Sequence, residues 1–117
     1  MTVKDISADE LRELIKNYRD EIEIIDVREP SENKIIRIKG SKLIPLRELR
    51  SRIDEIDWNK EVVFLCRSGA RSRMIADILS QTGKNVTNLR AGIYECYADG
   101  KGDNLEIPNE ELVEEYF

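Results

Sequence analysis

A cysteine stands at the head of a short loop of small and basic residues. The loop, Cys66 to Ser72, reads C-R-S-G-A-R-S and follows the apolar stretch Val62 to Leu65. This order predicts a buried strand, a tight loop and then a helix start, whose unpaired backbone N–H groups favour an anion. Arg67 and Arg71 add positive charge beside the thiol, and such a setting stabilises the thiolate. The segment therefore predicts a cysteine nucleophile with a cradle for negative charge.

Composition limits what else the chain could do. Its 117 residues, 40% of them hydrophobic, fit one domain, and no apolar run approaches the roughly 20 residues of a membrane span. The chain has no histidine, which excludes a histidine-based triad or metal site within it. Its two cysteines lie far apart without C-x-x-C spacing, so neither a disulfide framework nor a zinc site is indicated. We expect no metal and no cofactor.

The charge distribution indicates the kind of partner. The net charge of −5 argues against nucleic-acid binding, whereas Arg67, Arg71 and Arg73 crowd the cysteine loop. A positively charged rim around Cys66 on an otherwise acidic protein favours a small anionic substrate. The alternative is that these arginines are ordinary surface residues. The N-terminal Met1 to Asp5 has no apolar signal-peptide region, so we expect a reducing, cytoplasmic location.

Strand-like and helix-like segments alternate along the chain. Ser7 and Glu10 form a capping box before a helix. Further strands are predicted at 21–27, 42–46, 61–65 and 86–89, with an amphipathic segment at 46–56 and helices at 71–82 and 93–99. In the helix at 71–82 the apolar residues predicted to face inward are Met74, Ile75, Ile78 and Leu79. The alternation predicts an α/β fold with a central, mostly parallel sheet covered by helices on both faces. Sites in such sheets form beyond the carboxyl ends of the strands, where Cys66 falls.

The C-terminal segment differs from the rest. We predict one domain over 1–100, followed at 101–117 by a linker and a short acidic helix that packs on the domain or extends it. The helix offers four side chains for docking: Leu112, Val113, Tyr116 and Phe117.

Three motifs carry a resemblance to a known family. The segment Ile24 to Pro30, I-I-D-V-R-E-P, resembles the D-V-R-E stretch of rhodanese-like domains. Cys66 to Ser72 resembles their active-site loop, and Leu89 to Ile93 resembles their late L-x-G-G-I turn. Order and spacing agree with a single-domain rhodanese over roughly positions 4 to 100.

The resemblance implies a sulfurtransferase. Cys66 would attack the outer sulfur of thiosulfate or a similar anionic donor, and a thiol, cyanide or a protein cysteine would accept the sulfur from the persulfide. The substrate-binding set would be the active-site loop: Arg67, Ser68, Gly69, Ala70, Arg71 and Ser72. Asp26 and Arg28 would support that loop, and the protein would be a monomer or a weak homodimer.

The sequence departs from the family outside the cysteine loop. The usual G-H-I-x-G-A stretch reads I-R-I-K-G-S over Ile36 to Ser41, and Cys96 replaces an aromatic residue after the late turn. These changes could reshape the rim of the pocket. A second redox centre at Cys96 is an open alternative to a cysteine buried by packing.

Other functions remain open at this point. A cysteine phosphatase would need C-x5-R spacing, but position 72 is Ser, with Arg71 one residue early and Arg73 one residue late. An arsenate reductase on the rhodanese fold and a non-catalytic rhodanese-like binding or regulatory module are further alternatives. A buried, inert Cys66 is a fourth.

Overall fold

The computed structural model describes residues 3–117, so Met1 and Thr2 of the N-terminal segment discussed above lie outside the described residues. Its seven strands are β1 (Lys4–Ile6), β2 (Ile22–Asp26), β3 (Arg37–Ile38), β4 (Lys42–Leu43), β5 (Glu61–Leu65), β6 (Val86–Leu89) and β7 (Leu105–Glu106). Its α-helices are α1 (Ala8–Tyr18), α2 (Pro30–Asn33), α3 (Ala70–Ser80), α4 (Gly92–Ala98) and α5 (Val113–Tyr116). Three 3₁₀ helices span Arg19–Glu21, Leu46–Glu55 and Glu110–Leu112.

Five strands form one parallel sheet in the order β1-β6-β5-β2-β4. The central strand β5 is almost fully buried, and its register places Leu65 opposite Asp26 of β2. The carboxyl ends of β2 and β5 therefore meet at one edge of the sheet, immediately before the Cys66 loop. The predicted α/β fold is confirmed.

Each face of the sheet has its own hydrophobic core. The core under α1 and α4 includes Leu11, Val63 and Ile93, and the core under α3 and the 3₁₀ helix Leu46–Glu55 includes Phe64 and Leu49. Alternate residues of β5 point to opposite faces, so one strand contributes to both cores. Helices and cores on both faces explain why β5 reads as a nearly continuous apolar run.

The start of α1 follows from its sequence. The Ser7 hydroxyl accepts from the Glu10 backbone N–H at 3.1 Å, and Glu10 accepts from the Ser7 N–H at 3.0 Å. This is the predicted capping box, which satisfies two N–H groups that a helix start otherwise leaves unpaired.

The inward face predicted for α3 is partly wrong. Met74 and Ile78 are half exposed, whereas the buried residues of the helix are Ser72, Ala76 and Ser80. These three small side chains, spaced four apart, are the most buried of the helix, and the partly buried Ile75 and Leu79 pack against the same core as predicted. Small side chains let the helix backbone approach the strands closely, and the larger Met74 and Ile78 turn to solvent.

The C-terminal segment returns along the body of the molecule. Strand β7 pairs antiparallel with β3 in a two-stranded ribbon, which the sequence did not predict. Val113 is buried, and Tyr116 and Phe117 pack against the core under α1 and α4. Within residues 3–117, no helix combines the length and apolar character that crossing a membrane requires.

Candidate active site

Cys66 lies directly after β5, between the sheet and the start of α3. The residue is 1% exposed and is a free thiol. Its backbone oxygen accepts from the Ile93 N–H of α4 at 3.0 Å, and the next carbonyl, of Arg67, accepts from the Tyr94 N–H at 3.0 Å. The first turn of α4 therefore holds the backbone of the cysteine loop in place through these two hydrogen bonds.

The loop is built to stabilise a thiolate. Cys66 Sγ accepts from the Gly69 backbone N–H at 3.1 Å, and Ser72 Oγ lies 3.5 Å from the sulfur. Burial alone would raise the pKa of Cys66, but the Ser72 hydroxyl and the backbone N–H groups of Ser72, Gly69 and Ser68 lower it below its ordinary value. The thiolate is thus favoured without a histidine.

The Ser72 hydroxyl is hydrogen-bonded to Asn88. In the resting arrangement Ser72 Oγ donates to Asn88 Oδ1 at 2.6 Å, a much shorter contact than the one to Cys66 Sγ. A hydroxyl has one proton, so Ser72 can donate to Asn88 Oδ1 or to Cys66 Sγ but not to both at once. Asn88, on the neighbouring strand β6, is a site residue that the sequence analysis missed.

Two glycines let the loop close on the turn before α4. Gly69 has φ of +98°, and a Cβ there would lie 1.9 Å from the Arg90 backbone oxygen. A Cβ on Gly92 would lie 2.4 Å from the Arg67 oxygen. The loop motif and the late turn motif are therefore two halves of one structure, joined where only glycine fits.

The two loop arginines are both paired. Arg71 binds the Glu32 carboxylate through Nη1 and Nη2 at 2.8 and 2.9 Å. Arg67 donates from Nε to the Tyr116 backbone oxygen at 2.9 Å and from Nη2 to the Phe117 oxygen at 3.1 Å. The sequence predicted free cations beside the thiol, but neither arginine is free. Ser68 and Ala70 are exposed at the outer side of the loop.

Glu32 links α2 to the loop. Burial alone would raise its pKa, but hydrogen bonds from Arg71, from the Tyr116 hydroxyl and from the Glu29 backbone N–H lower it to about 2. The carboxylate is therefore ionised over the physiological range and keeps Arg71 paired. Glu32 was not among the residues selected from the sequence, because it lies two residues beyond the segment that ends at Pro30.

Asp26 and Arg28 form a fully buried ion pair at the end of β2. Arg28 Nη2 lies 2.7 Å from Asp26 Oδ2, and both side chains are 0% exposed. Arg28 also donates to the Ile36 backbone oxygen at 2.6 Å and to the Tyr116 hydroxyl at 3.1 Å. The pair reaches the cysteine loop indirectly, since the Tyr116 ring lies between Arg28 and Arg67, 5.7 Å from each guanidinium carbon.

Cys96 lies in a different environment. It is 3% exposed on α4, within the core under α1 and α4. Burial raises its pKa to about 11, so this thiol stays protonated at neutral pH. These properties fit a cysteine buried by packing and disfavour a second redox centre.

Comparison with known proteins gives consistent results. The family model described as rhodanese-like domain matches residues 7–99. A putative sulfurtransferase of Bacillus subtilis, YtwF, is 32% identical over 89% of this chain and all of its own length. The thiosulfate:glutathione sulfurtransferase of Saccharomyces cerevisiae is 26% identical over 90% of this chain and 85% of its own length. The crystal structure of a rhodanese-related protein from Thermoplasma volcanium superposes with a TM-score of 0.75 at 33% identity, covering 83% of this chain and 93% of that one.

The match extends over most of the chain and over both motifs that form the cysteine site. The chain belongs to the rhodanese-like domain family.

Proposed function

We propose that this protein is a sulfurtransferase that carries sulfane sulfur on Cys66 as a persulfide. The observation that carries the proposal is the 3.1 Å hydrogen bond from the Gly69 N–H to Cys66 Sγ, within a loop that lowers the pKa of the thiol. Relatives named as sulfurtransferases support the same class of reaction.

In the first half-reaction the Cys66 thiolate attacks the outer sulfur of thiosulfate or a similar donor. A bond forms between Cys66 Sγ and that sulfur as the bond between the two donor sulfurs breaks, and the bonding pair leaves with sulfite. The negative charge then rests on the outer persulfide sulfur. The backbone N–H groups from Arg67 to Ser72 surround this position and favour that charge.

In the second half-reaction an acceptor attacks the outer persulfide sulfur. Cyanide leaves as thiocyanate, or a thiolate leaves as a new persulfide, and the Cys66 thiolate is regenerated. The acceptor in the cell is a small thiol or a protein cysteine. Two covalent half-reactions predict ping-pong kinetics. Cys66 is the catalytic residue, the loop binds substrate, and Asp26 and Arg28 act as positioning residues.

Two cysteine variants test the proposal. We expect Cys66→Ser to abolish thiocyanate formation from thiosulfate and cyanide while the far-UV circular dichroism spectrum stays that of the unchanged protein. Cys96→Ser is the matched control, since this thiol is buried and protonated, and it should keep most of the activity. Full activity in Cys66→Ser would overturn the mechanism. Hydrolysis of phosphate esters without sulfur transfer would instead support the phosphatase alternative.

A further inference from the structure

The C-terminal residues Glu110 to Phe117, here called the tail, are held beside the cysteine loop. Val113 anchors the tail in the core at 2% exposure. The Phe117 ring stacks on Tyr97 at 5.2 Å and meets Tyr94 edge-on at 5.5 Å. Ring pairs at these separations add stabilisation beyond the area that they bury.

The tail also binds the Arg67 side chain of the cysteine loop. The guanidinium of Arg67 donates to two tail backbone oxygens and lies over the Tyr116 and Phe117 rings, at 5.7 and 5.8 Å. With Nε and Nη2 engaged, the guanidinium is turned toward the tail. A donor anion bound over the loop is then held mainly by the loop amides, and Arg67 attracts it less than it would if it faced the anion.

The second loop cation is paired with a carboxylate that the tail also contacts. The Tyr116 hydroxyl donates to Glu32 at 2.6 Å, and Glu32 holds both outer nitrogens of Arg71. The tail also carries four exposed carboxylates: Glu110, Glu111, Glu114 and Glu115. All of these features weaken the attraction for a doubly charged anion more than for a singly charged one.

We propose that Tyr116 and Phe117 are specificity-determining residues that select against small dianionic sulfur donors such as thiosulfate. A singly charged organic persulfide is favoured instead. This inference rests on the proposed function and names the class of donor for the same site. With a persulfide donor R–S–S⁻, a bond forms between Cys66 Sγ and the outer sulfur while the bond between the two donor sulfurs breaks, which gives Cys66–S–S⁻ and the thiolate R–S⁻.

Phe117→Ala tests the inference in the 117-residue chain, because it removes the stacking that seats the tail and substitutes no residue of the loop. Leu112→Ala is the matched control, since Leu112 is a tail residue that is 39% exposed. Hydrogen exchange of the tail amides, including the Phe117 N–H that bonds to the Val113 oxygen at 3.0 Å, reports whether the tail has detached. The double variant Tyr116→Ala with Phe117→Ala detaches it further.

The kinetic measurement determines KM and kcat separately for each donor. We expect detachment to lower KM for thiosulfate about threefold, the size of one exposed charge contact, with kcat unchanged. The value of kcat/KM for a simple alkyl persulfide should change less. Leu112→Ala should leave both donors as in the unchanged protein. An unchanged KM for thiosulfate in a double variant with a detached tail would overturn the inference.

Equilibrium binding separates this inference from the proposed function. Titration of thiosulfate into the same tail variants on a Cys66→Ser background measures anion binding without turnover. Tighter binding after detachment supports the inference even where the unchanged protein gains no sulfur, a result that would overturn only the proposed function. Equal binding with and without the tail overturns the inference, whatever the sulfur-transfer result.

Discussion

At the scale of single residues, the chemistry depends on how one buried thiol is kept ionised. The Cys66 loop uses backbone N–H groups and one hydroxyl for this purpose, so the site needs no histidine. Cys66 is buried within a basic loop, and the loop arginines are engaged elsewhere. The Ser72 hydroxyl and the loop amides therefore supply the stabilisation of the thiolate.

The pH dependence of the first half-reaction follows from this. Because the pKa of Cys66 is lowered, the thiolate is already present below the pH at which an ordinary thiol ionises, and the rate of persulfide formation should reach half its maximum at correspondingly low pH. Ser72→Ala should move that midpoint upward. A rapid-mixing pH profile measures it, and Ser80→Ala, a buried serine of the same helix that contacts the Asp77 oxygen, is the control. An unmoved midpoint in Ser72→Ala would contradict this assignment.

Sequence reasoning selected Cys66 and its loop as the candidate site but did not identify the partners of the arginines. Arg67 pairs with residues 49 and 50 positions away, and Arg71 pairs with Glu32, 39 positions away. A local pattern shows that a charge is present, whereas its orientation depends on contacts made only in the folded chain. Arg67 and Arg71 are therefore not the free cations that the sequence predicted beside Cys66.

At the scale of elements, the loop and the turn before α4 fit together through glycine. Gly69→Ala would combine a left-handed backbone with a Cβ 1.9 Å from the Arg90 oxygen. Gly83→Ala is a matched control, since its φ of +92° is similar and no atom lies within 4 Å of its Cβ. We expect about 1–2 kcal/mol of destabilisation at Gly83 and a clearly larger loss at Gly69, together with slower persulfide formation. Urea unfolding compares the two, and equal losses would contradict the close approach.

The elements themselves were predictable to different degrees. Strands β5 and β6 have the bounds expected from their runs at 61–65 and 86–89, and α1 begins at the predicted capping box. The face of α3 was predicted only in part: Ile75 and Leu79 pack on the core, but small side chains take the places expected for Met74 and Ile78. The β3–β7 ribbon was missed because each of its strands has only two residues and pairs at long range.

At the scale of the whole molecule, the buried Asp26–Arg28 pair joins separate parts of the chain. Arg28 contacts the Ile36 oxygen and the Tyr116 hydroxyl, and Asn33 Nδ2 donates to Asp26 at 3.1 Å. Strand β2, helix α2 and the tail thus meet at one charge pair beside the cysteine loop. The division at residue 100 remains a prediction, and the segment beyond it supplies contacts on which this edge of the sheet depends.

Breaking this pair should destabilise the whole domain. Asp26→Asn leaves the Arg28 guanidinium buried without its countercharge, so we expect a loss of about 3–5 kcal/mol. Chemical denaturation followed by circular dichroism measures the loss. Glu55→Gln, which disrupts an exposed contact with Arg52, should leave the unfolding midpoint nearly unchanged. A loss in Asp26→Asn no larger than in this control would show that the buried pair has little structural role.

The most direct test of the central claim is the mass of the protein after reaction with a sulfur donor. Incubation with thiosulfate, and in parallel with an alkyl persulfide, should add one sulfur atom, and peptide mapping should place it on Cys66. Cyanide or a thiol should then remove it. Absence of added sulfur with both donors, or its appearance on Cys96 instead, would contradict the assignment of Cys66 as the sulfur carrier.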